Sequence, residues 1–353
     1  MASSTTAAPT RAAASLQQQQ QQQNAEEERL ALLSLLNDVV SHLPNNREEA
    51  VKMIIPWLGM LVWPLIVSLP LLLSSSWSPI SYQDLFPAEW YEYNPMNPSE
   101  RPKPLGLFLG FVAVAIGNAF VIGFAYLYKF GYLSAVRGQE PPLIQRRLLA
   151  NDYEFMEAVK AHLFQPEGFV LLGIYLASMW MFKLMPNSYY SFEGGIQWRE
   201  TFLCLVLQDG FQFIMHRLEH ALSPRLYQLS HKPHHRFINP KMFDAFNGSL
   251  ADTILMILTP LYLTSNVMRT CNVWTYMAFG STYSCWLTML HSEYVLPWDG
   301  LFKRLGFGTP ADHHVHHSIF KYNYGHLFMW FDIVAGTYRD PRDLAPKLFN
   351  PHV

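Results

Sequence analysis

Histidines at metal-ligand spacing are the residues of this sequence that could do chemistry. The chain has 14 histidines in 353 residues, and 11 of them lie between His216 and His326. Most fall into three short motifs, with one further histidine, His291, between the second motif and the third. The motifs read H-R-L-E-H at 216–220, H-K-P-H-H at 231–235 and H-H-V-H-H at 313–317.

The spacing inside each motif lets several imidazole rings face one object. Residues three or four apart lie on the same face of a helix, as do His216 and His220. Pro233 predicts that a helix begins there, with His231 on the incoming turn. In the third motif 313, 316 and 317 share a helical face, and His314 lies about 100° away from it.

This pattern predicts a metal site. At this histidine frequency, two copies of H-x-x-H-H arise by chance in roughly two of ten thousand such sequences. Burying many histidines beside membrane-length apolar segments would be costly without a shared purpose. The predicted ligands are His216, His220, His231, His234, His235, His291, His313, His316 and His317.

Three more residues are candidates for contacts that support these ligands. Asp209 lies two helical turns before His216 on the same face, and it is expected to hydrogen-bond a ligating imidazole and fix its tautomer. His314 and His326 are candidates either for such supporting contacts or for direct ligation.

The number of histidines favours two iron ions. Neutral imidazole suits zinc, copper, iron and nickel, but one zinc needs only four ligands, or three and a water in catalytic sites. The zinc protease signature H-E-x-x-H is absent, because Arg217 follows the first histidine and Glu219 precedes His220. Zinc also has no redox chemistry. A membrane zinc hydrolase remains the alternative from another class of enzyme.

The composition places these motifs in a membrane protein. Hydrophobic residues make up 50% of the chain and charged residues 15%, with a net charge of −2, whereas soluble domains carry about 25% charged residues. A nucleic-acid-binding function is excluded, since it requires a positive surface. The three cysteines Cys204, Cys271 and Cys285 are too few and too scattered for a disulfide framework or a zinc–thiolate site.

Apolar segments predict an all-α, polytopic membrane bundle. Residues 53–77 and 105–128 carry no charge over 25 and 24 residues, and each is long enough to cross a hydrocarbon core of about 30 Å. Four shorter segments are either further crossings or buried helices. They are 168–186, 201–215, 250–266 and 272–290.

The chain is predicted to have five regions. They are a disordered low-complexity N-terminus (1–28), an amphipathic juxtamembrane segment (29–52), an N-terminal membrane region (53–198), a catalytic region (199–340) and a C-terminal tail (341–353). Lys and Arg cluster in 129–160, in 216–241 and after Trp298, which predicts that these parts face the cytosol. The apolar stretch 250–290 would then be either a full hairpin or a shallow pair of segments that dips into the membrane, and both return the chain to the same side.

The three motifs resemble the histidine boxes of the fatty acid hydroxylase/sterol desaturase superfamily, which are membrane-bound di-iron oxidases. The resemblance covers about 199–340 and extends to Asp209, Asn323-Tyr324-Gly325, Asp332 and Gly336-Thr337. His291-Ser292 with Tyr294 and Pro297-Trp298 is most similar to sterol methyl oxidases and cholesterol hydroxylases. The box at 231–235 with Asn323-Tyr324-Gly325 is equally similar to sterol desaturases.

The resemblance implies an enzyme of lipid biosynthesis in the endoplasmic reticulum membrane, multi-pass, with its histidine boxes facing the cytosol. It would use two iron ions, O2, and electrons from NAD(P)H delivered through a cytochrome and its reductase. The implied reaction is hydroxylation or desaturation at an unactivated C–H bond of a sterol or another long-chain lipid. Fatty-acyl or sphingoid-base hydroxylation is the alternative.

Overall fold

The computed structural model describes Glu26, Leu30, Ser34 and residues 47–74, 78–136, 138–145, 154–344 and 349–350. These residues belong to two compact units, residues 1–53 and residues 54–353. The predicted disordered N-terminus lies outside the described residues except for Glu26. The predicted amphipathic segment 29–52 is described only at Leu30, Ser34 and 47–52.

Helices form the regular structure of the described residues, which contain no strand and only three isolated β-bridges. The α-helices are α1 (Arg47–Met60), α2 (Val62–Ile66), α3 (Ser68–Ser74), α4 (Tyr82–Leu85), α5 (Pro104–Tyr126), α6 (Tyr132–Ala135), α7 (Phe155–Phe164), α8 (Leu171–Met181), α9 (Trp198–Ala221), α10 (Pro224–Leu229), α11 (Leu250–Thr253), α12 (Thr259–Val267), α13 (Val273–Met289), α14 (Asp299–Leu305), α15 (Pro310–Ile319) and α16 (Trp330–Ala335). The predicted all-α fold is confirmed.

Short wider or tighter helical turns connect several of these helices. Segments with π-helical hydrogen bonding span Leu127–Gly131, Pro166–Val170 and Ile254–Leu258. Segments of 3₁₀ helix span Ala88–Trp90, Asn187–Tyr190, His234–Arg236, Met242–Asp244 and Pro341–Asp343. The π-helical turns prolong α5 towards α6 and join α11 to α12, so that short helices combine into longer rods.

Two of these rods are long and apolar enough to cross a membrane, Pro104–Ser134 and Leu250–Val267. A third candidate among the described residues is the pair Trp57–Ile66 and Ser68–Ser74, which is bent by 57°. Pro70 explains the bend, because it lacks the N–H that would bond to the carbonyl of Ile66 and its ring crowds that carbonyl. The predicted segments 168–186, 201–215 and 272–290 form α8, α9 and α13.

The core is built where α5 packs along α13, and α9 packs against both α12 and α13. Small residues on α5 allow this close approach. A Cβ on Gly106 would overlap the Trp180 ring, and one on Gly117 would lie 3.1 Å from Cys285 Sγ. Close helix packing through small residues is typical of membrane bundles. The arrangement sets the ends of α9 and α13 side by side.

Candidate metal centre

Four elements carry the histidines to one place. His216 and His220 occupy the last two turns of α9, and His291 follows the end of α13. The second box lies in the turn after α10, where Pro233 precedes the short 3₁₀ helix. The third box is on α15, which starts sharply because Thr309 and Asp312 cap its first turn reciprocally.

The nine predicted ligands come together in two groups, and within each group the ligand atoms lie within 4.8 Å of one another. An ion about 2.1 Å from each ring nitrogen places neighbouring nitrogens about 3 Å apart and opposite ones about 4.2 Å apart. Both groups therefore have the dimensions of a metal-ligand set. The five-histidine group is His216, His220, His231, His235 and His316, and the four-histidine group is His234, His291, His313 and His317.

Hydrogen bonds in the five-histidine group leave the inner ring nitrogens without protons. The Nδ1–H of His216 donates to the carbonyl of Tyr324 at 2.7 Å, and that of His231 donates to Asp252 at 2.8 Å. Each neutral ring then has a bare lone pair at Nε2. These two Nε2 atoms are 2.9 Å apart. Two lone pairs at this distance repel each other unless a cation lies between them. The positions of the two Nε2 atoms therefore fit a bound metal ion.

The four-histidine group shows the same convergence. The Nδ1–H of His291 donates to the carbonyl of Leu287 at 2.9 Å. Its Nε2 lies 2.9 Å from Nε2 of His313 and 3.3 Å from Nε2 of His234. Nε2 of His317 lies 3.1 Å from that of His313. Four ring nitrogens thus point at one small volume, as ligands of a single ion do.

Burial keeps these rings neutral and able to bind metal. Desolvation lowers the pKa of His234 to about 4 and that of His220 to about 3. It also holds the pKa of other ligands well below 6.5, and the neighbouring imidazoles add to the effect. These are His216, His291, His313, His316 and His317.

Asp209 has a different role from the predicted one. Its carboxylate does not bond an imidazole; it accepts the backbone N–H groups of His326, Leu327 and Phe328 at 2.8–3.0 Å. Three successive N–H groups turn towards this buried side chain, and they satisfy it more fully than one ring could. Asp209 therefore acts on the ligands through the loop 322–328, which we call the carbonyl loop.

The carbonyl loop supplies backbone acceptors to one ligand from each of two boxes. Tyr324 accepts from His216, as described above, and the carbonyl of Tyr322 accepts from Nδ1 of His316 at 2.8 Å. Asp332 holds the loop from the other side, since it accepts the N–H groups of Tyr324 and Gly325 at 2.9 and 2.6 Å. Two buried carboxylates thus set the orientation of two imidazole rings.

Asn323 gives the carbonyl loop its shape. Its backbone is left-handed, with φ of 54°, a region that Asn adopts more readily than most residues. The side-chain amide donates to the carbonyls of Asp312 and Arg339 and accepts from the N–H of Arg339 at 2.7 Å. At Gly325 a Cβ would lie 2.7 Å from the carbonyl oxygen of Phe328. These contacts explain why the motif Asn323-Tyr324-Gly325 has an asparagine at its first position and a glycine at its third.

The two remaining candidate histidines lie in different places. His314 points away from both groups, with Nδ1 3.0 Å from Gln145 Nε2 and Nε2 donating to the carbonyl of Ser292 at 3.0 Å. The His326 ring lies between the groups, with ring-centre distances of 5.2 Å to His216 and 5.0 Å to His313.

Asp252 is a site residue that the sequence reasoning missed. It begins the apolar rod Leu250–Val267, and its carboxylate fixes the tautomer of His231. Glu219 is buried near the same ring, with Oε2 4.0 Å from Nδ1 of His231. The sequence contains a feature that points to Asp252, because it is the only charged residue of 250–268. A single acid in a membrane-length apolar segment usually has a functional partner.

The described residues form a helical protein with two or three membrane-capable helices and two adjacent histidine groups, each of which could hold a metal ion. A model of the fatty acid hydroxylase family matches residues 201–337. No solved structure matches the chain. The alternative squalene epoxidase of Phaeodactylum tricornutum is 59% identical to it over 324 residues, which cover 90% of this chain and 91% of that protein.

Sterol-modifying enzymes match over a shorter region. The Delta(7)-sterol 5(6)-desaturase of Saccharomyces cerevisiae is 31% identical over 160 residues, 43% of this chain and 38% of that enzyme. Methylsterol monooxygenase 1 of Gallus gallus is 26% identical over 158 residues, 43% of this chain and 51% of that enzyme. The chain belongs to the fatty acid hydroxylase/sterol desaturase superfamily, as the histidine boxes predicted. The family and the names of these relatives indicate an oxidoreductase that acts on lipids.

Proposed function

We propose that this protein is a di-iron, O2-dependent epoxidase whose substrate is squalene, a linear isoprenoid hydrocarbon. The observation that carries the proposal is the similarity to the alternative squalene epoxidase over nine tenths of both chains. The two sterol-modifying enzymes above match less than half of this chain. The longer match therefore includes most of the N-terminal membrane region, which lies outside the family model.

Epoxidation transfers one oxygen atom of O2 to a C=C bond, and the other atom leaves as water. The balance requires two electrons and two protons for each epoxide formed. Two irons bound by the five- and four-histidine groups would supply the activation of O2. The sequence motifs predicted a related reaction, the hydroxylation or desaturation of an unactivated C–H bond in a sterol or another long-chain lipid. Hydroxylation has the same balance of O2, electrons and protons, so the two reactions differ in the bond that is presented to the centre.

The protein's own contribution is to hold neutral imidazoles in one tautomer. Asp252 and the carbonyls of Leu287, Tyr322 and Tyr324 each accept a hydrogen bond from an Nδ1–H group, which leaves Nε2 as the ligand atom in both groups. Such outer contacts orient metal ligands and raise their basicity. Because all four acceptors are fixed by helices or by the carbonyl loop, the rings are aligned before a metal binds.

The electron supply and the location complete the proposal. Electrons come from NAD(P)H through a cytochrome and its reductase, and the protein lies in the endoplasmic reticulum membrane with the histidine groups on the cytosolic side. The Lys and Arg clusters of 129–160 and 216–241 support this orientation. The catalytic region is 199–340, and lipid reaches it from the bilayer while electrons arrive from water.

The test is expression in a host that lacks its own squalene epoxidase, followed by mass spectrometry of the non-polar lipids. We expect squalene epoxide that carries one atom of isotopically labelled O2. The His234→Ala and His316→Ala variants, one from each group, should insert normally and form none. Iron-loaded wild-type protein that leaves squalene unchanged and oxidises a sterol would overturn the substrate assignment.

Metal analysis of the purified protein tests the centre itself. Two groups of histidine ligands predict about two irons per chain, since a paired site is the usual arrangement for shared oxygen chemistry. A single zinc per chain would instead support the membrane zinc hydrolase.

A further inference from the structure

An apolar cavity of about 70 Å³ lies among α5, α8, α12 and α13. One face of each helix lines it, as the spacing of Tyr276, Gly280 and Ser284 on α13 shows. We call it the chamber. Its lining includes Gly106, Gly110, Leu176, Leu261, Gly280 and Ser284. The chamber alone is small, but together with an adjoining cavity of about 360 Å³ it reaches the range of about 300–1,000 Å³ that is typical of small-molecule sites.

One end of the chamber approaches the histidine groups. Ser284 precedes His291 by seven residues, which corresponds to about 10 Å along the helix. The neighbouring Tyr283 donates its hydroxyl proton to Gln212 Oε1 at 2.9 Å, and Gln212 is one helical turn before His216 on α9. The chamber therefore ends about two helical turns or less from ligands of both groups.

The other side of the chamber continues into a cleft between α5 and α8. This second cavity, of about 360 Å³, shares Phe111, Val114, Leu172 and Leu176 with the chamber. The cleft is partly open to the outside of the protein. Because α5 belongs to the membrane-length rod Pro104–Ser134, this opening faces the depth at which a hydrocarbon dissolves in the bilayer.

The lining fits a hydrocarbon rather than a lipid with a charged or amide head group. Among the residues that the structure describes, no Asp, Glu, Lys, Arg or His lines the chamber. The hydroxyls of Tyr283 and Ser284 already donate to protein acceptors, Gln212 and the carbonyl of Ser281. A head group in this space would lose its hydration with few partners in return, which is costly.

Two glycines leave space open on opposite walls. At Gly110 on α5 and Gly280 on α13, an added Cβ would have no heavy atom within 4 Å. Gly106, one turn before Gly110, differs because its lack of a side chain makes room for the Trp180 ring. Helix packing accounts for Gly106, but it does not account for Gly110 and Gly280.

We propose that the chamber and the adjoining cleft together hold the hydrocarbon chain of the substrate. The substrate enters between α5 and α8, and Gly110 and Gly280 set the longest chain that fits. This inference rests on the proposed function, because squalene is the hydrocarbon assigned to the chamber. An added Cβ at either glycine meets no heavy atom within 4 Å, so a leucine there extends into the chamber and takes up space that the chain would occupy.

The experiment compares Gly110→Leu and Gly280→Leu with Gly123→Leu in purified full-length protein in lipid nanodiscs. Gly123 is a matched control, because it lies on α5, has no heavy atom within 4 Å of an added Cβ, and lines neither cavity. The readouts are binding of radiolabelled squalene, iron per chain, and epoxide formed from squalene and from a shorter linear isoprenoid hydrocarbon.

We expect both chamber variants to keep their iron and to bind squalene about tenfold more weakly or worse, which corresponds to about 1.4 kcal/mol. Epoxide formation from the shorter hydrocarbon should be little affected, so the ratio of short to long epoxide rises. Gly123→Leu should match the wild type. If a leucine variant does not load iron, Gly280→Ala provides a smaller step, with a smaller loss in the same direction.

Iron-loaded Gly110→Leu and Gly280→Leu proteins that bind and epoxidise squalene like the wild type would overturn the chamber assignment and leave the proposed function intact. Wild-type protein that forms no epoxide from squalene and oxidises a sterol would overturn the proposed function. In that case the same variants, assayed with the sterol, decide whether the chamber is still the substrate site.

Discussion

Replacing Asp252 by Asn isolates the contribution of one carboxylate to metal binding. Asp252 accepts the Nδ1 proton of His231 at 2.8 Å, and both side chains are nearly buried. A hydrogen bond to a charged group contributes about 1.5–3 kcal/mol, and a neutral one about 0.5–1.5 kcal/mol. The amide oxygen of Asn can still accept this proton, so the expected loss is the difference, about 1–1.5 kcal/mol.

That difference is roughly a tenfold loss of iron affinity, at the lower end of the 10- to 100-fold that such outer contacts usually contribute. The assay is competition with a graded series of chelator concentrations, followed by metal analysis of the repurified protein. Asp252→Asn should release half of its iron at about one tenth of the chelator activity that the wild type needs.

Glu219→Gln is the matched control, because Glu219 faces the same ring nitrogen from 4.0 Å, beyond hydrogen-bond distance. Burial, with a contribution from Asp252, raises the pKa of the Glu219 carboxyl to about 7, so it is partly protonated at neutral pH. We expect less than about a twofold change in iron affinity. Equal losses in the two variants, or none in Asp252→Asn, would refute the assigned role of Asp252.

Three further predictions concern the site and its orientation. His316→Ala should abolish turnover and lower iron content. His314→Ala should retain both, because His314 hydrogen-bonds Gln145 and Ser292 instead of facing the ions. An equal loss of turnover in the two variants would contradict this geometry. Iron in the four-histidine group should stay bound as pH falls from about 7 to about 5, because burial lowers the pKa of His234 to about 4 and protons compete for its ring nitrogen only near that value. Metal analysis after dialysis measures this, and loss of all iron near pH 6.5 would count against it. Asn239→Cys and Arg304→Cys, both exposed, should react with an impermeant thiol reagent from the cytosolic side in a background without the native cysteines; labelling from opposite sides would break the shared-site topology.

Helical periodicity made part of the site predictable. The spacing within 313–317 predicts that His314 diverges from its neighbours, and the structure turns it towards Gln145. The lack of charge over 105–128 predicts a membrane-length helix, which the rod Pro104–Ser134 confirms. In both cases the evidence lies within one element, where sequence distance translates directly into position.

The division of the histidines into two groups could not be predicted in this way. His234 and His235 are adjacent in sequence yet belong to different groups, as do His316 and His317. On a helix neighbouring side chains diverge by about 100°, but which group each ring joins depends on how α9, α13 and α15 meet. The carbonyl acceptors of Tyr322 and Tyr324 were equally hidden, because every residue has a backbone carbonyl.

The sharing of α15 between the two groups has a consequence for biosynthesis. His316 belongs to the five-histidine group, while His313 and His317 belong to the other. Asp332, still later in the chain, holds the loop that orients His216 and His316. During translation from the N-terminus, α1 to α14 and the histidines among them are therefore made before either group has all its ligands. Neither histidine group can be complete until α15 has left the ribosome, so a metal that needs all the ligands of its group can be loaded only after that point.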